Sequence, residues 1–179
     1  MPGKKNIFII NGSASSDSAN HKLIHILQRL TNEAFEMTLC CDLKTLPHFD
    51  PELSSNNPPE KIIELRNHIQ QADGIIICTP EYVFSIPSGL KNAIEWCIAT
   101  TLFMDKPTGL ITASASGKKA HEELQIIMQT AMAKFTDDTT LLIPGIKGKF
   151  DELGNLKDEE TSERIGKFIT AFIDLVKSR

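Results

Sequence analysis

The chain has 179 residues, 41% hydrophobic and 23% charged, with a formal net charge of −4. That is long enough for a sizeable core, and the acidic balance with scattered lysines excludes the basic stripe of a nucleic-acid binder. No apolar run approaches the ~20 residues of a membrane span and Ile7–Ile10 is too short for a secretory signal core, so a cytoplasmic protein with no membrane or nucleic-acid partner is expected.

Apolar runs of strand length alternate with segments of helical period. Asn6–Asn11 reads as the first strand, and Ser18–Glu33 as a helix with Leu23, Leu27 and Leu30 on one face. Phe35–Leu43 alternates as a second strand, and Leu46–Pro59, rich in Pro, Asn and Ser, reads as a loop. Glu60–Gln71 is helical through Ile62, Leu65 and Ile69, and Asp73–Thr79 is a third strand built on the apolar run Gly74–Cys78. Ser88–Ala99 is a helix, Pro107–Ala113 the fourth strand, and Lys118–Phe135 a helix whose Leu124, Ile127, Met128, Ala131, Met132 and Phe135 make a core stripe. Thr139–Ile143 is the fifth strand, Pro144–Asp158 a loop, and Glu159–Lys177 a last helix with Ile165, Phe168, Ile169, Phe172, Ile173 and Val176 on one face.

Five such units, without repeat or linker, predict one α/β domain over residues 1–179. Continuous apolar strands imply a parallel sheet with helices on both faces. The flavodoxin-like order 2-1-3-4-5 fits, with its switch point between the first and third strands and a ligand crevice at the strands' carboxyl ends. Of the four cysteines, Cys40, Cys78 and Cys97 sit in apolar contexts, Cys41 has either face open to it, and none forms a C-x-x-C pair. Free thiols in a reducing compartment are therefore expected. The five histidines lack metal-ligand spacing and read as surface or cap residues.

Three loops fall on that edge. The first, Gly12–Asn20, is neither a dinucleotide fingerprint nor a P-loop. It offers the hydroxyls of Ser13, Ser15 and Ser18, small Ala19 and the amide of Asn20 at a helix start, a cradle for phosphate. The third-strand loop, Thr79–Ser88, holds the chain's one tyrosine, Tyr82, beside Pro80, Glu81, Val83, Phe84 and Ser85, able to border a flat heterocycle. Glu81 reads more readily as an acceptor for backbone N–H groups than as a catalytic group. The fourth-strand loop, Thr112–Gly117, is small enough for close backbone approach, with Ser114 and Gly117 as candidates.

These residues resemble the NADPH-dependent FMN reductase family, which includes quinone, chromate and azo-dye reductases. The resemblance runs through Gly12-Ser-Ala-Ser-Ser-Asp-Ser-Ala-Asn20, Leu46-Pro-His-Phe-Asp-Pro51, Thr79-Pro-Glu-Tyr-Val-Phe-Ser-Ile-Pro-Ser-Gly-Leu-Lys-Asn-Ala-Ile-Glu-Trp96 and Lys106-Pro-Thr-Gly-Leu-Ile-Thr-Ala-Ser114. It implies a flavin oxidoreductase with FMN as cofactor and NADPH or NADH as donor. Hydride would pass through the flavin to a small acceptor such as a quinone, with no catalytic side chain assigned. It also implies Ser13, Ser18 and Asn20 at the phosphate, Pro80, Glu81, Tyr82 and Ser85 at the ring, Ser114 and Gly117 beside it, and a homodimer or homotetramer. Phe103 and Met104 are apolar residues of the kind an oligomer contact uses. The chain departs from the family pattern at Ser15, where the pattern has arginine, and at Val83, where it has asparagine. The alternative is a flavodoxin-like electron carrier, or a binding domain with weak or lost FMN binding.

Overall fold

The computed structural model describes residues 3–178. Strands β1 (Lys5–Asn11), β2 (Phe35–Leu39), β3 (Gly74–Thr79), β4 (Thr108–Ser114) and β5 (Thr140–Pro144) form a parallel sheet in the order β2-β1-β3-β4-β5. Side chains alternate across it. Ile7, Ile9, Ile76, Cys78, Ile111, Ala113, Leu141 and Ile143 point to one face, where helices α1 (Ala19–Leu30) and α6 (Glu159–Lys177) pack through Leu23, Leu27, Ile165, Phe168 and Phe172. Phe8, Ile10, Ile75, Ile77 and Leu110 point to the other, under α3 (Glu60–Gln71), α4 (Ser88–Ile98) and α5 (Lys118–Thr130). The chain therefore changes faces between β1 and β3, which opens a crevice at their carboxyl ends.

The expected doubly wound sheet is present, and α3 and α6 have the expected bounds. Three local differences have physical causes. The second strand stops at Leu39, because the Asp42 side chain accepts the Lys44 N–H and turns Leu43–Thr45 into a 3₁₀ helix. Within the expected 46–59 loop lies a short helix, α2 (Pro51–Asn56), started by the Asp50 carboxylate accepting the Glu52 and Leu53 N–H groups, with Pro51 at the first position. Helix α5 ends at Thr130 instead of Phe135, since Met132 turns left-handed (φ 59°) and Lys134 pairs beside β4 at Pro107. Leu30 and Met132, expected on core faces, are 55% and 54% exposed, whereas Phe103, expected at an oligomer contact, is buried in the core.

Asp158 caps α6 by accepting the Thr161 N–H and hydroxyl, and pairs with Lys149 at 2.8 Å. These contacts, the lysine and threonine side chains foremost, lower its pKa from 3.8 to about 2. A depressed carboxyl pKa adds stability above the unfolded value and loses it as pH falls. Asp158→Asn is therefore expected to flatten the acid limb of the stability profile between about pH 4 and 2 in urea titrations.

Candidate functional site

The loops after β1, β3, β4 and β5 enclose a cavity of about 550 Å³ at the strands' carboxyl ends. It is lined by Ser13, Ser15, Asp17, Ser18, Ala19 and Asn20 from the first loop, Pro80, Glu81 and Tyr82 from the second, Ala113–Ala115 from the third and Gly145–Gly148 from the fourth. This volume lies within the range that holds a small ligand or cofactor.

The first loop is folded by its own polar groups. Asn11 Oδ1 accepts the Ser13 N–H at 3.0 Å, and Ser13 Oγ accepts the Ser15 N–H at 3.3 Å. Gly12 must be glycine, because a Cβ there would lie 2.3 Å from Thr79 Oγ1. Ser18 caps α1 by accepting the His21 N–H at 3.1 Å. The Ala19 and Asn20 N–H groups are first-turn donors that a helix leaves without an internal acceptor, and with the partial positive charge of the helix start they favour an anion. The Asn20 side chain itself is buried: Nδ2 donates to the Ala113 carbonyl at 3.0 Å and Oδ1 accepts from Cys78 Sγ. It tethers α1 to β4 and positions the cradle, leaving the backbone and hydroxyls to face the cavity.

The second loop is anchored by two carboxylates. Glu81 accepts the N–H groups of Gly117, Lys119 and Ala120 at 3.3, 2.9 and 3.0 Å, so it caps α5 from across the site. Its own N–H donates to Ser114 Oγ at 3.1 Å. The acceptor role expected for Glu81 is present, but it serves a helix start in a different loop. Glu123 accepts the Ser85 hydroxyl at 2.6 Å and the Ile86 N–H at 3.0 Å. Those hydrogen bonds, with Lys91 nearby, lower its carboxyl pKa despite partial burial. Between these anchors, Tyr82 and Ser85 exchange backbone hydrogen bonds around a two-residue turn. Tyr82 Oη lies 3.5 Å from Ser13 Oγ, joining the first loop to the second.

Four expected site residues lie outside the cavity lining. Ser85 is held by Glu123, and Gly117 (φ 83°) serves as the N-cap of α5. Val83 and Phe84 form the turn tip, 93% and 79% exposed, with φ of 51° and 59°. Positive φ at both central residues is the pattern that favours Asn-Gly. Valine at position 83 therefore carries backbone strain. Val83→Asn is expected to raise the unfolding free energy by about 1 kcal/mol, read from urea denaturation midpoints.

The cavity also takes residues not among the expected contacts: Asp17, Ala113, Ala115 and the Gly145-Ile-Lys-Gly148 turn. Gly145 is left-handed (φ 66°) and its N–H donates to the Ala115 carbonyl at 3.0 Å, while Ile146 is buried. The signal available in the sequence was positional, a Gly-flanked turn directly after the last strand. Among the described residues, no group of three or more His, Cys, Asp or Glu side chains is arranged to hold a metal, and no helix is long and apolar enough to cross a membrane. His121, expected at the surface or as a cap, is half-buried with Nδ1 3.0 Å from Thr112 Oγ1. Burial, then the Arg164 charge, lowers its pKa.

A doubly wound sheet of order 2-1-3-4-5, with an anion cradle and a small-ligand cavity at its switch point, defines a flavodoxin-like α/β protein. The sequence profile of the family described as NADPH-dependent FMN reductase matches residues 5–146. The chain belongs to that family and is a flavin oxidoreductase. It is 29% identical to the NADH:(hydroxy)cinnamate reductase subunit CrdA of Vibrio ruber over 94% of this chain and 85% of that one. It is 26% identical to a quinone reductase of Escherichia coli over 99% of this chain and 98% of that one. Among solved structures it is similar to FerB, a flavoenzyme NAD(P)H:(acceptor) oxidoreductase from Paracoccus denitrificans, at TM-score 0.79 and 26% identity, covering 97% and 98% of the two chains.

Proposed function

We propose that this protein transfers reducing equivalents from NADPH or NADH, through FMN held in the 550 Å³ cavity, to a small acceptor such as a quinone. The observation that carries the reading is that two kinds of lining meet in one cavity. The first loop presents the hydroxyls of Ser13, Ser15 and Ser18 and the helix-start N–H groups of Ala19 and Asn20, donors suited to a phosphate. The loops after β3 and β4 add Pro80, the Glu81 backbone, Tyr82 and Ser114, a surface suited to a flat ring. Bound FMN supplies the hydride chemistry.

The protein's part is to bind and orient. Glu81 and Ser114 fix the ring-side loop against β4, and Asn20 fixes the phosphate-side helix against the same strand. The Glu81 carboxylate accepts three N–H groups, a positioning task. The names of the relatives in Escherichia coli and Paracoccus denitrificans support a quinone-type acceptor and either nicotinamide donor.

The same reading takes the whole chain as one FMN-binding domain, at work in the cytoplasm as a homodimer or homotetramer. Support for the compartment comes from four free thiols. Support for assembly comes from apolar side chains in solvent, Val83, Phe84 and Ile126 among them. The test is NADPH or NADH oxidation in the presence of benzoquinone. Turnover that depends on added or retained FMN is expected, and no turnover with FMN and either donor overturns the proposal.

A further inference from the structure

We propose that Lys147, on the turn after β5, supplies the positive charge that holds the FMN phosphate, in place of a cation from the first loop. The inference rests on the flavin reading above. It starts from a charge problem. The first loop's share of the lining is Ser13, Ser15, Asp17, Ser18, Ala19 and Asn20, which bring one carboxylate and no cation. Phosphate is a strong acceptor that gains most from a charged donor, and Asp17 works against it.

The cations nearest in sequence are engaged elsewhere. His21 Nδ1 lies 2.7 Å from the Ser16 carbonyl oxygen and its ring stacks on His25, outside the cavity lining. Lys22 lines a separate groove with His25, Arg29 and residues 152–155. Lys44 pairs with Asp42 at 3.3 Å, Lys119 with Glu122 at 3.0 Å and Lys149 with Asp158 at 2.8 Å.

Lys147 is the one cationic side chain among the described residues that line the cavity, and it makes none of their ion pairs or side-chain hydrogen bonds. Its backbone, in contrast, is well held. The buried Ile146 precedes it, the Gly145 N–H is fixed to Ala115, and the Gly148 N–H donates to the Gly145 carbonyl at 3.0 Å. A fixed turn that brings an unpaired lysine to the lining of the cavity that also holds the anion cradle suits a phosphate clamp. The other carboxylate on the lining, Glu81, is taken by the start of α5. Position 15 is then free to be serine, because the charge arrives from the turn after β5.

The experiment compares FMN with riboflavin, which has the same ring system and no phosphate, by quenching of flavin fluorescence. Lys147→Ala is expected to weaken FMN binding about 10- to 100-fold, the worth of a charge-assisted hydrogen bond. It should leave riboflavin binding unchanged. Lys147→Glu should weaken FMN further, and adding Ser15→Arg to Lys147→Ala should restore FMN binding. Equal weakening of both flavins, or no change for FMN, overturns the assignment while leaving the flavin site standing. A wild-type protein that binds neither flavin overturns the flavin reading itself.

Discussion

Trp96→Ala lowers the unfolding free energy by about 3–5 kcal/mol, the usual cost of deleting a large aromatic side chain from a packed core. Trp96 is completely buried, and its Nε1–H donates to the Pro47 carbonyl at 2.8 Å. Asn92 donates to the same carbonyl at 2.9 Å and accepts the Phe49 N–H at 2.7 Å, while the Phe49 ring meets Trp96 edge-on with centroids 5.5 Å apart. Arg66 adds a bond from α3 to the Trp96 carbonyl. The Leu46–Pro51 segment is thus docked on the end of α4, and α4 begins where the ring-side loop stops. The expected shift is read from urea midpoints at unchanged slope. Trp96→Phe, which keeps most of the apolar volume, should recover more than half of the loss.

Glu81→Ala is the second large effect, and it couples stability to binding. The substitution leaves the Gly117, Lys119 and Ala120 N–H groups without their acceptor and releases the loop that carries Tyr82. Loss of a capping carboxylate with several charge-assisted bonds costs about 2 kcal/mol. FMN affinity should fall with it, because the ring-side loop no longer has a fixed position. Glu122→Ala is the control. Glu122 lies on the same helix and pairs with Lys119 in solvent, so both unfolding and FMN binding should stay unchanged.

Strand order and both helical layers were legible because buried parallel strands write themselves as apolar runs and the covering helices as stripes. Gly74–Thr79 and Glu159–Lys177 illustrate each case. Element ends were less legible where one side chain decides them. Asp50 starts α2 inside a segment whose Pro, Asn and Ser content reads as loop, and Met132 ends α5 although the apolar stripe continues. At the site, the hydroxyl loop and Pro80–Tyr82 were visible from residue type and position. The structure gives other tasks to Ser85 and Gly117, which spend their polar groups on Glu123 and Glu81. The Gly145–Gly148 wall was hidden because its residues are distant in sequence and chemically plain. It joins the site through the pairing of β5 with β4 and the Gly145 N–H bond to the Ala115 carbonyl.

The cavity's assignment to FMN is tested most directly by titrating flavin-free protein with FMN and following the visible spectrum, then adding NADPH or NADH under argon and finally benzoquinone. Equimolar FMN uptake is predicted, with bleaching of the flavin absorbance by the nicotinamide and its return on addition of the quinone. A protein that takes up no FMN, or that holds FMN which neither nicotinamide bleaches, contradicts it.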